Sequence, residues 1–203
     1  MKLNLKTILE GGYGSEGKYM ESFEDLEKVV HLLREGGYSI VLTQGVYDMF
    51  HVGHKRYLEA ASKLGNILIV GLDSDELTRQ TKGQTDPTRP FDSFEARCEL
   101  LCALWFIKIV VRRDVDRHTD DLIKLVRPDV LVISQTTSSF NSEKIKELEQ
   151  FCGKIEHLVA QADPSVTSTT AKLRRLRTEG ARELGQIVGD AVQKAVKDYL
   201  GEA

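Results

Sequence analysis

Ile40-Val-Leu-Thr-Gln-Gly45-Val-Tyr-Asp-Met-Phe-His51-Val-Gly-His54 is the stretch on which the reading of this chain turns. Ile40 to Leu42 form a short, wholly apolar run, the composition of a strand buried on both faces. The run passes at once into a turn-forming segment, and a helix follows, marked by Leu58, Ala61 and Leu64 and closed by Gly65. In open α/β sheets ligands sit beyond the carboxyl ends of the strands, near the point where strand order reverses. His51 and His54 stand at i and i+3, so both face one side of a helix start, where free backbone N–H groups favour an anion. Gly45 and Gly53 let the backbone come close to a ligand. Two imidazoles in that setting suit phosphate, whose oxygens they can hydrogen-bond and whose charge they can stabilise in a phosphoryl-type transition state. Taken singly, a helix-start histidine is usually a cap or surface residue, and Gly-bearing strand-to-helix turns are common in α/β proteins. The combination G-x-Y-D-x-x-H-x-G-H after the first strand is far more restrictive than either part.

Outward from this stretch, strands and helices alternate. Upstream, Ser22 followed by Asp25 is a capping pattern for a helix with Phe23, Leu26, Val30 and Leu33 at helical spacing, ended by Gly36-Gly37. Residues 1–21, with Gly11, Gly12, Gly14 and Gly17, read as an irregular arm. Downstream come a strand over Ile67 to Leu72, a helix from Ser74 to about Gln80 and a polar loop over Lys82 to Pro90. A helix over Ser93 to Leu104, a strand over Phe106 to Val111 and a helix containing Leu122 to Val126 follow. The pattern closes with a strand over Val130 to Ile133, a polar stretch over Ser134 to Ser142, a helix ending near Gly153 and a strand over Ile155 to Val159. Most strands are continuous apolar runs, which means a parallel sheet covered on both faces: a doubly wound, Rossmann-like α/β fold with five strands. Residues 22–176 read as one domain and 177–203 as a C-terminal helical extension. On the extension Leu184, Ile187, Val188, Ala191, Val192, Ala195, Val196, Tyr199 and Leu200 make an apolar stripe, either docked back on the domain or shared with another subunit.

Composition narrows the function. The chain has 203 residues, 41% of them hydrophobic, enough for one domain with a substantial core. A net charge of -3 gives no bulk attraction to nucleic acid. The longest apolar run, Leu100 to Ile107, falls far short of the roughly 20 residues that span a bilayer, so no membrane partner is expected. The first ten residues carry two lysines but no apolar core of a signal peptide, so no secretory signal is expected. Three cysteines make no disulfide framework, and a cytoplasmic location is the simplest reading. Cys98 and Cys102 share an apolar helix face with Phe94 and Leu101, and no zinc spacing is present, so no metal site built from protein ligands is expected.

Gly45 to His54 matches, without departure, the signature G-x-[FY]-D-x-x-H-x-G-H, and the chain thereby resembles the cytidylyltransferase-like nucleotidyltransferases. The resemblance continues through Lys55-Arg-Tyr-Leu-Glu-Ala-Ala, Leu68-Ile-Val-Gly-Leu-Asp-Ser-Asp-Glu-Leu, Lys82-Gly83, Arg89-Pro, Phe94-Glu-Ala-Arg97 and Arg127-Pro-Asp-Val-Leu-Val. It closes with Ser168-Thr169-Thr170 followed by Leu173, similar to the family's S-T-[ST]-x-x-[IL] motif, and so spans about residues 22–176. The resemblance implies transfer of a nucleoside monophosphate from a nucleoside triphosphate to a phosphorylated acceptor, with release of pyrophosphate. His51 and His54 would contact the triphosphate and stabilise the pentavalent α-phosphorus, and Lys82 would bridge the α-phosphate and the acceptor phosphate. Thr43 and the backbone near Gly45 would hold phosphate, Gly53 would make room for base or ribose, and Tyr47 belongs to the same nucleotide-binding set. Arg97 would help place the nucleotide, and Ser168, Thr169 and Thr170 would bond the β- and γ-phosphates. Asp48 fixes the turn or faces the acceptor, and Ser134 and Gln135 are acceptor-side candidates. Mg²⁺ would travel with the triphosphate, held by Asp73, Asp75 or phosphate alone. A homodimer is expected from the family's habits and the apolar stripe.

Two subfamilies are in view. The stretch from Ser22 through Ile40-Val-Leu-Thr-Gln-Gly resembles the adenylyltransferase domain of the ADP-heptose pathway, as do the surroundings of Ser168. Gly45-Val-Tyr-Asp-Met-Phe and Ser74-Asp-Glu-Leu-Thr resemble cytidylyltransferases of phospholipid and teichoic-acid precursors. ATP is favoured slightly over CTP, with a sugar or polyol phosphate as acceptor. The departure is Ile133-Ser-Gln-Thr-Thr-Ser-Ser, where both subfamilies place a glycine-and-aspartate stretch. It points to an acceptor with other hydrogen-bonding needs than heptose phosphate. The alternatives are a nucleotide-binding or regulatory protein with weak turnover, and a flavin- or pantetheine-type adenylyltransferase.

Overall fold

The structure, a computed structural model, describes residues 5–10, 17–83, 86–116, 120–134, 142–158 and 169–200. In chain order the elements are α1 (Leu5–Glu10), β1 (Tyr19–Met20), α2 (Phe23–Glu35), β2 (Ile40–Gly45), α3 (Val52–Ser62), β3 (Ile67–Asp73) and α4 (Asp75–Lys82). They continue with α5 (Phe94–Ala103), β4 (Ile109–Arg113), α6 (Asp121–Val126), β5 (Val130–Ser134), α7 (Ser142–Glu149), β6 (Lys154–Leu158) and α8 (Thr169–Leu200). Helix starts follow the sequence signals: Ser22 Oγ accepts from the N–H groups of Glu24 and Asp25, Ser74 Oγ from Leu77, and Ser93 Oγ from Ala96.

The strands form one parallel sheet in the order β1-β4-β3-β2-β5-β6. It has six strands where the sequence pattern predicts five. The added strand, β1, and helix α1 both lie in the stretch expected to be an irregular arm; a two-residue strand is too short to show periodicity. The strand expected over Phe106 to Val111 begins only at Ile109, with Phe106 and Ile107 buried ahead of it. Lys82, expected in a loop, is the last residue of α4.

Side chains alternate between the sheet faces along each strand. Ile40, Leu42, Ile67, Ile69, Ile109, Val111, Leu131 and Ile133 pack with α1, α2, α6 and Leu148 of α7. Val41, Leu68, Val70, Leu72, Val110, Val130 and Val132 pack with α3 and α5 on the other side. A Cβ at Gly71 of β3 would lie 2.6 Å from Leu122 Cδ2 and 2.8 Å from Arg113 Cδ, so any larger residue there makes these side chains shift. Ahead of β1, the buried ammonium of Lys18 donates to the carbonyls of Cys102 (2.9 Å) and Leu104 (3.1 Å), joining the N-terminal segment to the end of α5.

Strand order reverses between β2 and β5, and there the ladder stops early. β2 pairs with β3 as far as Gly45, whereas its pairing with β5 covers Val41 and Leu42. Beyond Leu42 no further pair joins these two strands, at the switch point where open α/β sheets place their binding crevice. Tyr57 of α3 fills the gap: its hydroxyl stands 2.7 Å from Thr43 Oγ1 on β2 and donates to the Val132 carbonyl on β5 at 3.1 Å. Burial pushes that hydroxyl up to about 12, so it stays a neutral donor. Tyr57→Phe is expected to lower the free energy of unfolding by about 1–3 kcal/mol, since a buried carbonyl loses its donor. Urea denaturation of both proteins measures this, and equal stability would contradict the bridge.

The chain divides into two units, 1–162 and 163–203, each described by itself. The second contains α8, on which Leu184, Ile187, Val188, Val192 and Val196 are all at least half exposed. Among the described residues no helix is long and apolar enough to cross a membrane.

Candidate active site

The signature segment occupies the turn from β2 into α3, at the mouth of the crevice. His51 is the N-cap of α3, in extended backbone conformation, and its Nδ1 accepts the Gly53 N–H at 3.1 Å. With Nδ1 as acceptor, the ring proton sits on Nε2, which is then a hydrogen-bond donor. His54 stacks on His51, with ring centroids 3.8 Å apart and 23° between planes. Tyr47 meets the His54 ring edge-on at 5.5 Å, and Phe50 lies at the same distance. The two imidazoles form one rigid pair over the helix start.

The turn is held in a costly shape. Tyr47 and Met49 have φ values of 54° and 47°, the left-handed region, which costs a non-glycine residue about 1–2 kcal/mol. Between them the fully buried carboxylate of Asp48 accepts from the N–H groups of Phe91 and Asp92 and from Arg89 Nε, each at 3.0 Å. Asp92 returns the bond, its Oδ2 accepting from Met49 N–H at 2.8 Å. This reciprocal clasp keeps the strained backbone in place. Of the two roles open to Asp48, the structure has the turn; its carboxylate is used inside the chain rather than turned toward an acceptor.

The remaining candidates divide into those beneath the site and those around it. Thr43 is buried, and its hydroxyl lies 2.7 Å from the Tyr57 hydroxyl. Tyr47 is buried too, its hydroxyl pushed well above the usual phenol range by burial, and it walls His54 instead of presenting a polar group to a nucleotide. Gly45 ends β2 beside the Tyr47 ring, and Gly53 is buried in the first turn of α3. Arg97 is expected to place the nucleotide, but its side chain has no exposure and all three guanidinium nitrogens are bonded within the chain. Nε donates to the Asp92 carbonyl (3.0 Å), Nη1 to the carbonyls of Val46 (2.6 Å) and Asp73 (2.9 Å), and Nη2 to Asp75 Oδ1 (2.6 Å). It ties the ends of β2 and β3 to the clasp and the start of α4. Lys82 is exposed at the end of α4, close enough to Asp73 for its charge to act on that carboxylate. Burial raises the Asp73 pKa against the opposing charges of Arg113, Arg97 and Lys82. Ser134, half-buried, ends β5 at the far side of the crevice. Gln135 and Ser168 lie outside the described residues; Thr169 and Thr170 begin α8, with side chains outside them.

The candidate magnesium ligands do not fit a divalent cation. Asp73 Oδ1 is paired with Arg113 Nη1 at 2.7 Å and Asp75 Oδ1 with Arg97, which sets a guanidinium where a cation would lie. No group of three or more His, Cys, Asp or Glu side chains with metal-binding geometry occurs among the described residues. Arg89, Asp92 and Tyr57 were not singled out from sequence. Arg89 and Tyr57 lie within the stretches Arg89-Pro and Lys55-Arg-Tyr-Leu-Glu-Ala-Ala of the family resemblance, without a role given to either.

Comparison with known proteins agrees with this geometry. The cytidylyltransferase-like family model matches residues 42–175. The chain is 40% identical over 114 residues to the bifunctional protein HldE of Sulfurimonas denitrificans, covering 56% of this chain and 23% of that protein. It is 41% identical over 120 residues to bifunctional protein HldE of Syntrophotalea carbinolica, covering 59% and 23%. The chain thus spans about a quarter of the length of these curated relatives. Among solved structures, the lipopolysaccharide core biosynthesis protein from Thermoplasma volcanium superposes with a TM-score of 0.50 at 20% identity, covering 62% of this chain and 98% of that one. A pantoate-beta-alanine ligase from Francisella tularensis gives 0.52 at 15% identity, covering 73% and 69%. At these identities the two structures speak for the fold alone. With its signature segment at the switch point of a Rossmann-like sheet, the chain belongs to the cytidylyltransferase-like family of nucleotidyltransferases.

Proposed function

We propose that this nucleotidyltransferase uses ATP in preference to CTP and transfers the nucleoside monophosphate to the phosphate of a small sugar or polyol phosphate. The observation that carries the reading is the stacked His51–His54 pair over the start of α3, with the His51 proton held on Nε2. A phosphate oxygen of the acceptor attacks the α-phosphorus in line, the bond between the α-phosphorus and the bridging oxygen breaks, and pyrophosphate leaves with that oxygen and its charge. His51 and His54 stabilise the charge that builds on the phosphoryl oxygens, and Lys82 draws the α-phosphate and acceptor phosphate together. The backbone from Thr43 to Gly45 and the first turn of α3 hold phosphate. Arg97 and Asp48 act by positioning. Ser168, Thr169 and Thr170 take the β- and γ-phosphates; Ser134 and Gln135 face the acceptor. Magnesium enters as part of the triphosphate substrate. The HldE relatives favour ATP and a sugar phosphate, while Ser134-Gln-Thr-Thr-Ser-Ser139 argues for an acceptor other than heptose phosphate.

Calorimetry with non-hydrolysable ATP and CTP analogues tests the nucleotide, and tighter binding of the ATP analogue is the expected result. Pyrophosphate release with a panel of sugar and polyol phosphates, extended to flavin mononucleotide and phosphopantetheine, tests the acceptor. That same replaced segment favours a second reading, a nucleotide-binding regulator: tight triphosphate binding with no turnover on any acceptor is its outcome. We further propose a cytoplasmic homodimer, supported by the apolar stripe of α8. Light scattering of the native chain at twice the monomer mass is the expected result, and a monomer would contradict it.

A further inference from the structure

We infer that Arg89 is an anion-binding residue of this site, its guanidinium fork set to receive the oxygens of a phosphate group. The inference rests on the nucleotidyl-transfer reading. The contrast with Arg97 is informative. Arg97 is wholly buried and bonds through Nε, Nη1 and Nη2, as a structural arginine does. Arg89 has a side chain 15% exposed and, among the described residues, makes a single side-chain bond, from Nε to Asp48 Oδ2. Its Nη1 and Nη2 meet no acceptor among the described residues. A guanidinium carries five N–H donors in a fixed plane, and partly burying it with most of them unmet is unfavourable unless an acceptor arrives.

The fork is also anchored along one edge. Asp48 is fully buried and fixed by the Phe91 and Asp92 N–H groups, so the Nε edge of Arg89 is anchored to an immobile carboxylate. Asp48 sits three residues before His51, on the strained turn that carries the histidine pair, so Arg89 belongs to the rim of the same site. Asp86 N–H donates to the Lys82 carbonyl at 3.0 Å and Arg89 N–H to the Asp86 carbonyl at 3.2 Å, which ties this arginine to the end of α4. A cationic, planar, pre-oriented pair of Nη groups matches two oxygens of a phosphate. The phosphate comes from the triphosphate or from the acceptor.

The chain and its Arg89→Gln and Arg89→Lys variants test this by calorimetry with three probes: α,β-methylene-ATP, inorganic phosphate and adenosine. Either variant is expected to bind one phosphate probe about 10- to 100-fold more weakly, because a charge-assisted pair of bonds is lost. The lysine variant loses it too, since an ammonium cannot both keep the Asp48 bond and offer a fork. Weakened binding of the methylene analogue with inorganic phosphate unchanged assigns Arg89 to the triphosphate; the converse assigns it to the acceptor phosphate. Adenosine binding unchanged excludes a merely structural role, and an equal loss for adenosine overturns the inference. Undiminished binding of both phosphate probes by Arg89→Lys overturns it as well and leaves nucleotidyl transfer standing. Failure of the wild-type chain to bind any triphosphate analogue, ATP or CTP type, overturns the nucleotidyl-transfer reading and this inference together.

Discussion

Replacement of His54 by alanine is expected to reduce turnover by about 10²-fold or more, the usual magnitude when a preorganised donor facing developing charge is removed. The expectation comes from the way the ring is held. His54 is stacked on His51 and bordered by Tyr47 and Phe50, so it needs no reorganisation when charge builds at phosphorus. In the proposed mechanism the histidines meet more charge on the phosphoryl oxygens in the transition state than in the bound triphosphate, so the expected loss falls mainly on kcat. Removing the ring leaves Tyr47 and Phe50 without one neighbour, while the Asp48–Asp92 clasp that shapes the turn does not involve His54 at all. Steady-state pyrophosphate release, with binding of a triphosphate analogue measured separately, checks both parts. Unchanged turnover in the variant would sink the proposed mechanism.

The second large effect is on stability. Arg97→Ala is expected to lower the free energy of unfolding by about 3–5 kcal/mol, the range for breaking a buried ion pair by removing one partner. The guanidinium serves the carbonyls of Val46, Asp73 and Asp92 and the carboxylate of Asp75, and methyl replacement abandons all four. Asp75 keeps part of its surface open to water, with 21% exposure, which softens its share of the loss. The three carbonyls sit at the ends of β2 and β3 and at the clasp, so the damage is concentrated under the site. Urea unfolding followed by circular dichroism measures the effect; a change below about 1 kcal/mol, within the range of surface substitutions, would show that Arg97 is not the staple described.

These two residues also mark how far sequence could reach. The fold was legible because its determinants are local: continuous apolar strands, capping serines at 22, 74 and 93, and helical spacing in α2. The histidine pair was legible as well, since three residues of helix fix its geometry. Arg97 was not, because a guanidinium on a helix carries no local sign of whether it meets water or four acceptors, three of them from two distant segments. Likewise nothing near Tyr47 and Met49 announces a positive φ; that conformation is imposed by Asp92, more than forty residues away in sequence. Tyr57 reads as an ordinary apolar helix residue until β2 and β5 are seen to part. Long-range hydrogen bonding, rather than periodicity, decides these positions.

The brief strand ahead of α2 has a consequence for colloidal behaviour. β4 runs Ile109-Val-Val, an apolar strand that would otherwise offer an open row of amides to any neighbouring chain. Tyr19 and Met20 lie along Val110 and Val111, and the Lys18 ammonium is locked to α5, so that rim is sealed. On the opposite rim β6 carries Lys154, Glu156 and His157, ionisable groups that disfavour edge-to-edge pairing. Two residues of backbone, Tyr19 and Met20, thus leave only a very short strand at that rim, the kind of edge that disfavours edge-to-edge pairing.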